Sequence, residues 1–480
     1  MVAMAGASGF VGSNLRRGLG GEFRWLALTR SRRLAEDSET DATMTTWRHC
    51  DLFSLPQVRS ALEGADYGVY LVHSMLPSSR LVQAGFADLD VLLADNFARA
   101  AREAGLRGIL YLGGLIPEGG RKLSPHLRSR LEVESVLRQS GVPVTVLRAG
   151  LIVGPGGSST AMLVNLVRRL PVMVLPRWTR STTQSVDIRD VVRAVGMALR
   201  EPRFQGGIYD IAGHPPTSYG EMIRQTAAVL GRRHIAIRYP FHSIRISRYW
   251  VSCFSGVSPA LAHPLLESLT HDLKAAPNPL LEAIAPDAVS FGCSLRDAIA
   301  PEAKGGDFPR RRILRTDRAA MRAQKRVRSV QRLPLPADWD ADATAEEYGR
   351  WLTRRYRGLL RVDRGEEGDE GAVRFFVAGL RVPLLVLTPT PFTDSAGLRR
   401  AFYITGGLLA KNVDPPGRLE FRAIPGLGCQ IAAIHGYAPR LPWPVYRLTQ
   451  ARIHLHIMRA FAAYLRRIPA KKSSPDGVEN

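Results

Sequence analysis

The sequence predicts an α/β protein, with a parallel sheet and its helices over residues 1–300 and a smaller α+β domain over residues 331–468. Three observations predict it. Up to about residue 300, short apolar runs alternate with stretches of helical periodicity, the pattern of strand–helix–strand units. From Lys304 to Arg332, eleven basic side chains face only Asp307 and Asp317, with few large apolar residues, so residues 301–330 read as a basic linker. Past that stretch, brief β-like runs separated by Gly and Pro lead into one long amphipathic segment.

The strands of the first part are expected at Val2–Ala5, Trp25–Thr29, Tyr67–Val72, Gly108–Leu112 and Val144–Leu147, with a further one before Asp51. Between them, Asp90–Ala104 repeats Leu93, Phe97, Ala100 and Ala101 at helix spacing. Another helix opens at Ser124-Pro125, a capping serine with proline at the first helical position, and closes at Ser140-Gly141. In the second part, strands are expected at Phe375–Val377, Pro383–Leu387, Phe402–Ile404, Arg418–Phe421 and Gln430–Ile434. A single helix from about Tyr446 to Arg467 follows, apolar along Leu448, Ile453, Ile457, Phe461 and Leu465. The polar tail, residues 469–480, is expected to be disordered.

Composition narrows the function classes. With 45% hydrophobic and 23% charged residues, the chain is neither broadly disordered nor a membrane channel. No apolar run reaches about 18 residues, and the amino terminus does not read as a signal peptide. The four cysteines are scattered without a C-x-x-C pair, which fits a reducing cytoplasm and argues against a zinc ribbon or a disulfide scaffold. The net charge of +23 favours anionic partners. The basic stretch lacks aromatic interleaving and any nucleic-acid signature, so a solvated linker, or peripheral contact with anionic lipid at the inner face of a membrane, is the better expectation.

The informative motif is Gly6-Ala7-Ser8-Gly9-Phe10-Val11-Gly12, directly after the first strand. Gly6 permits the tight turn, Gly9 lets the backbone approach a pyrophosphate, and Gly12 lets the helix pack against the strand. The helix that follows, with Val11, Leu15 and Leu19 spaced four apart, turns its free N–H groups and positive end toward that pyrophosphate. After the second strand, where an acid would hold a ribose 2′-hydroxyl, the chain has Thr29-Arg30-Ser31-Arg32-Arg33. Arg30 pairs with a 2′-phosphate, so NADP(H) is favoured over NAD(H), while Arg32 and Arg33 fit a solvated run. Asp51-Leu52, after the third strand, is placed to accept from an adenine amino group.

These residues resemble the atypical short-chain dehydrogenase/reductase family, nearest to the bacterial NAD(P)-binding proteins of the YbjT type. More distantly they are similar to NmrA-like regulators and to the NADPH-binding accessory subunit of respiratory complex I. The strings that carry the resemblance are Gly6–Leu15, Tyr70–Met75, Leu110–Leu115, Leu123–Glu134, Val142–Gly154 and Pro176–Trp178, and they cover residues 1–300. The resemblance implies an NAD(P)-binding Rossmann fold with a substrate lobe. The carboxy-terminal part resembles the START-like, lipid-binding helix-grip class only in its order of sheet and then helix, which implies an apolar or lipid-like ligand.

The family also implies a catalytic serine after the fifth strand and a Tyr-x-x-x-Lys pair on the next helix. Here the strand ends Leu112-Gly113-Gly114, without the serine, and the pair reads His126-Leu-Arg-Ser-Arg130. The i,i+4 spacing keeps both side chains on one helix face. Arg130 retains the capacity to bind ribose hydroxyls and phosphate. His126 is a candidate proton donor, although a helix N-terminus favours the neutral imidazole, and lining the pocket is its other reading. His73 is expected to border the cofactor cleft. Arg148, Trp178, Asp187 and Asp190 fall where the family builds its substrate lobe, with Asp187 and Asp190 read as ties between strand and helix. Glu420 is expected to point outward from mid-strand, and His454 and His456, two apart on a helix, form a poor metal pair. Two readings stay open: an NADP(H)-dependent oxidoreductase with an altered catalytic pair, acting on an apolar carbonyl or quinone-like compound, and a non-catalytic NADP(H)-binding sensor or assembly protein.

Overall fold

The computed structural model describes residues 1–36, 44–74, 81–118, 123–170, 172–213, 215–233, 235–238, 251–256, 259–303, 326–365, 371–390 and 397–468. Most of the basic stretch (304–325) and the tail (469–480) lie outside these residues. The chain divides into two units, Met1–Leu76 with Leu93–Arg315, and Pro77–Leu92 with Thr316–Asn480.

In the first unit, seven parallel strands run in the order Ile208–Ile211, Val144–Ala149, Gly108–Gly114, Tyr67–Tyr70, Val2–Ala5, Trp25–Thr29, Thr45–His49. Val2–Ala5 and Trp25–Thr29 are buried along their whole length, as strands covered by helices on both faces have to be. The chain leaves Val2–Ala5 toward one side of the sheet and returns to its other side at Tyr67–Tyr70, so the order reverses between these two strands. This is a Rossmann-like NAD(P)-binding fold, and the reversal opens a crevice at the carboxyl ends of the strands. The predicted helix near residues 90–104 spans Phe86–Glu103. The other spans Pro125–Arg138 and is capped as expected, Ser124 Oγ accepting from the Leu127 N–H at 3.2 Å. Helices Ser158–Arg169, Tyr219–Val229, Pro259–Ser268 and Phe291–Ala303 build a lobe around Val164, Trp178, Met222 and Leu295.

The second unit is a separate, largely antiparallel sheet. Its strands run Leu360–Arg364, Val373–Val377, Leu385–Pro389, Arg399–Gly406, Gly417–Ile424, Cys429–Tyr437, Val327–Pro334, Leu81–Gln83, and only the last pair is parallel. Helices Ala341–Arg355 and Gln450–Leu465 contribute Trp351 and Phe461 to a core shared with Phe421 and Leu387. The sequence suggested one long terminal helix. The structure has two, Trp443–Leu448 and Gln450–Leu465, because Thr449 leaves helical geometry at φ −115° and ψ −85°. Strand Val327–Pro334 begins inside the stretch read as linker, with Val327, Val330 and Leu333 buried. Its neighbour Leu81–Gln83 comes from a segment that the sequence pattern assigned to the first part. No helix among the described residues is long and apolar enough to cross a membrane.

Candidate functional site

The glycine loop leaves the carboxyl end of Val2–Ala5. Gly6 has φ +91°, a backbone conformation that side chains with a Cβ resist, and the turn closes with Gly9 N–H donating to the Gly6 carbonyl at 2.9 Å. Gly9 is the N-cap of helix Phe10–Gly18 and offers no side-chain oxygen to the first turn. A Cβ on Gly9 would lie 3.0 Å from the Gly6 carbonyl oxygen, and one on Gly12 would lie 2.5 Å from that oxygen and 2.7 Å from Ala7 Cα. Only glycine lets the loop and the helix pack this closely, and the tight turn leaves the helix N-terminus bare, the arrangement that fits a dinucleotide pyrophosphate. Ser8 is exposed, while Phe10 and Val11 are half-buried, Phe10 with its ring toward Gly154 and Gly157.

The neighbouring strand ends line the same edge of the sheet. Arg30 is exposed one residue beyond Trp25–Thr29. Asp51 Oδ1 accepts from Phe53 N–H at 3.2 Å, and the Leu52 carbonyl accepts from Asn96 Nδ2 at 2.8 Å. Asn96 is fully buried, so it fixes the turn that carries Asp51 and Leu52. Sequence reasoning passed over it. Its one signal was an amide inside an otherwise apolar helical repeat.

The third group joins residues that sequence reasoning named separately. Leu71, beside Gly6, leads to His73, whose Nδ1 lies 2.5 Å from Arg130 Nη2. A guanidinium only donates, so in this contact His73 Nδ1 is the acceptor. Arg130 is buried, and the Tyr111 hydroxyl donates to its carbonyl at 3.1 Å. His126 lies one turn before Arg130, its ring centroid 5.1 Å from that of His73. Its Nδ1 is 2.9 Å from Ser268 Oγ, which is itself 3.1 Å from Ser124 Oγ. Ser268, at the end of helix Pro259–Ser268, was missed because nothing in its local sequence marks it. The structure therefore brings His73, His126 and Arg130 together and adds Ser268.

Other candidates take structural places. Arg148 forms a bidentate pair with Glu134 at 3.0 and 2.7 Å. Trp178 packs in the lobe against Tyr219. Asp187 caps helix Ile188–Arg200 through the Arg189 N–H at 2.7 Å; although burial raises its pKa, hydrogen bonds from Arg189 and Ser294 hold the carboxyl below its ordinary range. Asp190 is buried and pairs with Arg193 at 2.5 Å. In the second unit, the expectation for Glu420 is corrected. It is fully buried, 3.0 Å from Arg399, 3.5 Å from Arg418 and 3.2 Å from His435, and it also pairs with Arg422. Burial alone would raise its pKa, but Arg422, His435 and Arg399 hold the carboxyl well below the usual range. Burial pushes His435 down to about 4, so it is neutral near pH 7. His454 is also pushed to about 4 by burial, with Nε2 3.2 Å from Ser329 Oγ, while His456 is exposed. Among the described residues, no group of three or more His, Cys, Asp or Glu side chains could hold a metal ion.

Comparison with known proteins bears on the first unit. Auxiliary protein GraX of Staphylococcus aureus is 28% identical over 113 residues, 24% of this chain and 36% of GraX. Ceramide reductase of Caulobacter vibrioides is 26% identical over 267 residues, 54% of this chain and 79% of the reductase. The chain thus spans about a third of one curated relative and about four fifths of the other. A nucleoside-diphosphate-sugar epimerase from Staphylococcus aureus superposes with a TM-score of 0.50 at 15% identity, covering 62% of this chain and 99% of its own, a likeness of fold. The model of the NAD dependent epimerase/dehydratase family matches residues 2–212, the stretch that holds the glycine loop, His73, His126 and Arg130.

Proposed function

We propose that the protein is an NADP(H)-dependent reductase of an apolar, lipid-like carbonyl or quinone compound. The observation that carries the reading is His126 and Arg130, one turn apart on one helix, gathered with His73 beside the glycine loop. The loop would hold the pyrophosphate against the first turn of helix Phe10–Gly18, and Arg30 would pair with a 2′-phosphate. Asp51 and Leu52 would border the adenine. When bound, the dinucleotide supplies hydride chemistry. Arg130, held by His73, would fix the ribose hydroxyls, and His126 would deliver the proton to the developing alkoxide, its ring oriented by Ser268. The ceramide reductase among the relatives supports a lipid-like substrate. From Val327 onward the second unit follows the order strand, helix, six strands, then helices, with the apolar side of its sheet toward Trp351 and Phe461. That order supports a helix-grip domain holding an apolar ligand, with functional domains near residues 1–300 and 331–468.

One observation favours a second reading, a non-catalytic NADP(H)-binding sensor or assembly protein. The strand that should end in a catalytic hydroxyl ends in Gly113-Gly114, and the Tyr111 hydroxyl is committed to the Arg130 carbonyl.

Titration with NADPH and NADH, followed by NADPH oxidation against a panel of long-chain carbonyl compounds and quinones, tests the proposal. NADPH is expected to bind more tightly, and Arg30→Ala to remove the preference. Arg130→Ala is expected to weaken binding. His126→Ala is expected to leave binding nearly unchanged and to lower turnover by about 10²–10⁴-fold. Equal affinity for the two cofactors overturns the NADP(H) assignment, and silence across the panel leaves the sensor reading.

A further inference from the structure

In the lobe of the first unit, strands Val172–Leu175 and Ile235–Arg238 form a two-stranded parallel sheet, with Ile235 opposite Val172 and Ile237 opposite Val174. Side chains alternate between faces along a strand. Met173 points inward and is 1% exposed, whereas Val172, Val174, Ile235 and Ile237 are 48%, 47%, 61% and 51% exposed. Four β-branched aliphatic side chains therefore share one outward face, a contiguous apolar patch of the kind that marks an interaction surface.

Arginines cluster where the two strands of the patch begin. The strands are parallel, so both begin at the same end of the sheet, preceded by Arg168 and Arg169 on one side and by Arg232 and Arg233 on the other. Arg232 Nη1 donates to the Arg168 carbonyl at 2.8 Å, which ties the segments leading into the two strands together. Arg169 Nη1 donates to the carbonyl of Phe254, an aromatic residue that is 38% exposed.

We infer that this patch docks the protein on an anionic lipid bilayer, the aliphatic side chains entering the headgroup boundary while the arginines meet lipid phosphates. Apolar burial and polybasic attraction are each weak, and together they give stable peripheral binding. The charge also discriminates against a second copy of the chain, which across the same face would bring arginine against arginine. Membrane docking of this kind depends on the lobe alone and is independent of cofactor binding.

The test is flotation of the full chain with vesicles of phosphatidylcholine containing phosphatidylglycerol, against phosphatidylcholine alone. The wild type is expected on the anionic vesicles only. The doubly substituted Val174→Ser/Ile237→Ser and Arg232→Glu/Arg233→Glu variants are each expected to partition at least about tenfold less. NADPH titration and circular dichroism of the variants check that the fold is retained. Wild type absent from anionic vesicles overturns the inference. So does full binding by the serine variant, which would assign attraction to basic residues elsewhere. A wild-type dimer that the serine variant converts to monomer would make the patch a subunit interface and overturn it equally.

Discussion

The two sheets of this protein handle charge in opposite ways. Strands Val2–Ala5 and Trp25–Thr29 of the parallel sheet are wholly buried and carry no ionisable side chain, and the candidate functional groups sit just past the strand ends. The antiparallel sheet carries charge in the middle of its strands. Glu420 and Arg422 lie on Gly417–Ile424, Arg399 on the adjacent strand opposite Arg422, and His435 on the other neighbour opposite Arg418. Side chains paired in register share a face, so these residues meet on the side of the sheet away from Phe421 and its apolar core. Central parallel strands with both faces covered, such as Val2–Ala5 and Trp25–Thr29, leave only their ends for polar work. An antiparallel sheet has a second face on which a buried ionic group can be built, at the risk that losing one member strands the others.

The contrast can be broken most directly at Glu420. Glu420→Gln leaves the guanidiniums of Arg399, Arg418 and Arg422 around a neutral amide, and is expected to destabilise the second unit by about 3–5 kcal/mol in denaturant titration while the first unit's transition stays in place. An unchanged midpoint would show that the cluster contributes little.

Acid sharpens it next. His435 and His454 have native pKa values of about 4, below the ordinary value near 6.5, so between those limits the unfolded chain binds more protons than the folded one. Stability of the second unit is therefore present above about pH 6.5 and lost as pH falls toward 4, by roughly 1–3 kcal/mol for each histidine. Glu420, with its pKa depressed, adds loss below the ordinary carboxylate range. In the first unit Asp187 is likewise depressed and acts only in that lower range. Melting followed from pH 8 to pH 4 should show the second unit weakening first. Parallel loss in both units would erase the distinction.

In the first unit the vulnerable point is the loop. Gly12→Ala drives a Cβ against the Gly6 carbonyl and Ala7, and is expected to weaken NADPH binding more than about tenfold with the sheet intact by circular dichroism. Undiminished binding would reduce the loop to a turn. Smallest is Ser124→Ala, which removes the cap of the helix carrying His126 and Arg130 and should cost about 1 kcal/mol.

What the sequence determined by itself follows from local physics. The glycine spacing, the arginine after the second strand and the Ser-Pro helix start act over a few residues, and buried parallel strands announce themselves as unbroken apolar runs. These were enough to read the parallel fold and to name Gly6, Gly9, Gly12, Arg30, His73, His126 and Arg130 as candidates. Only the tertiary structure decided which of those candidates meet. The His73–Arg130 contact spans 57 positions and the His126–Ser268 contact 142. It also decided that Leu81–Gln83 pairs with Val327–Pro334, and that Glu420 faces inward among arginines. A one-residue change of register turns every side chain of a strand to its other face. Alternation along Gly417–Ile424 therefore could not say which face is buried, because here both are, and only pairing with distant strands supplied the partners that let a charged residue stay inside.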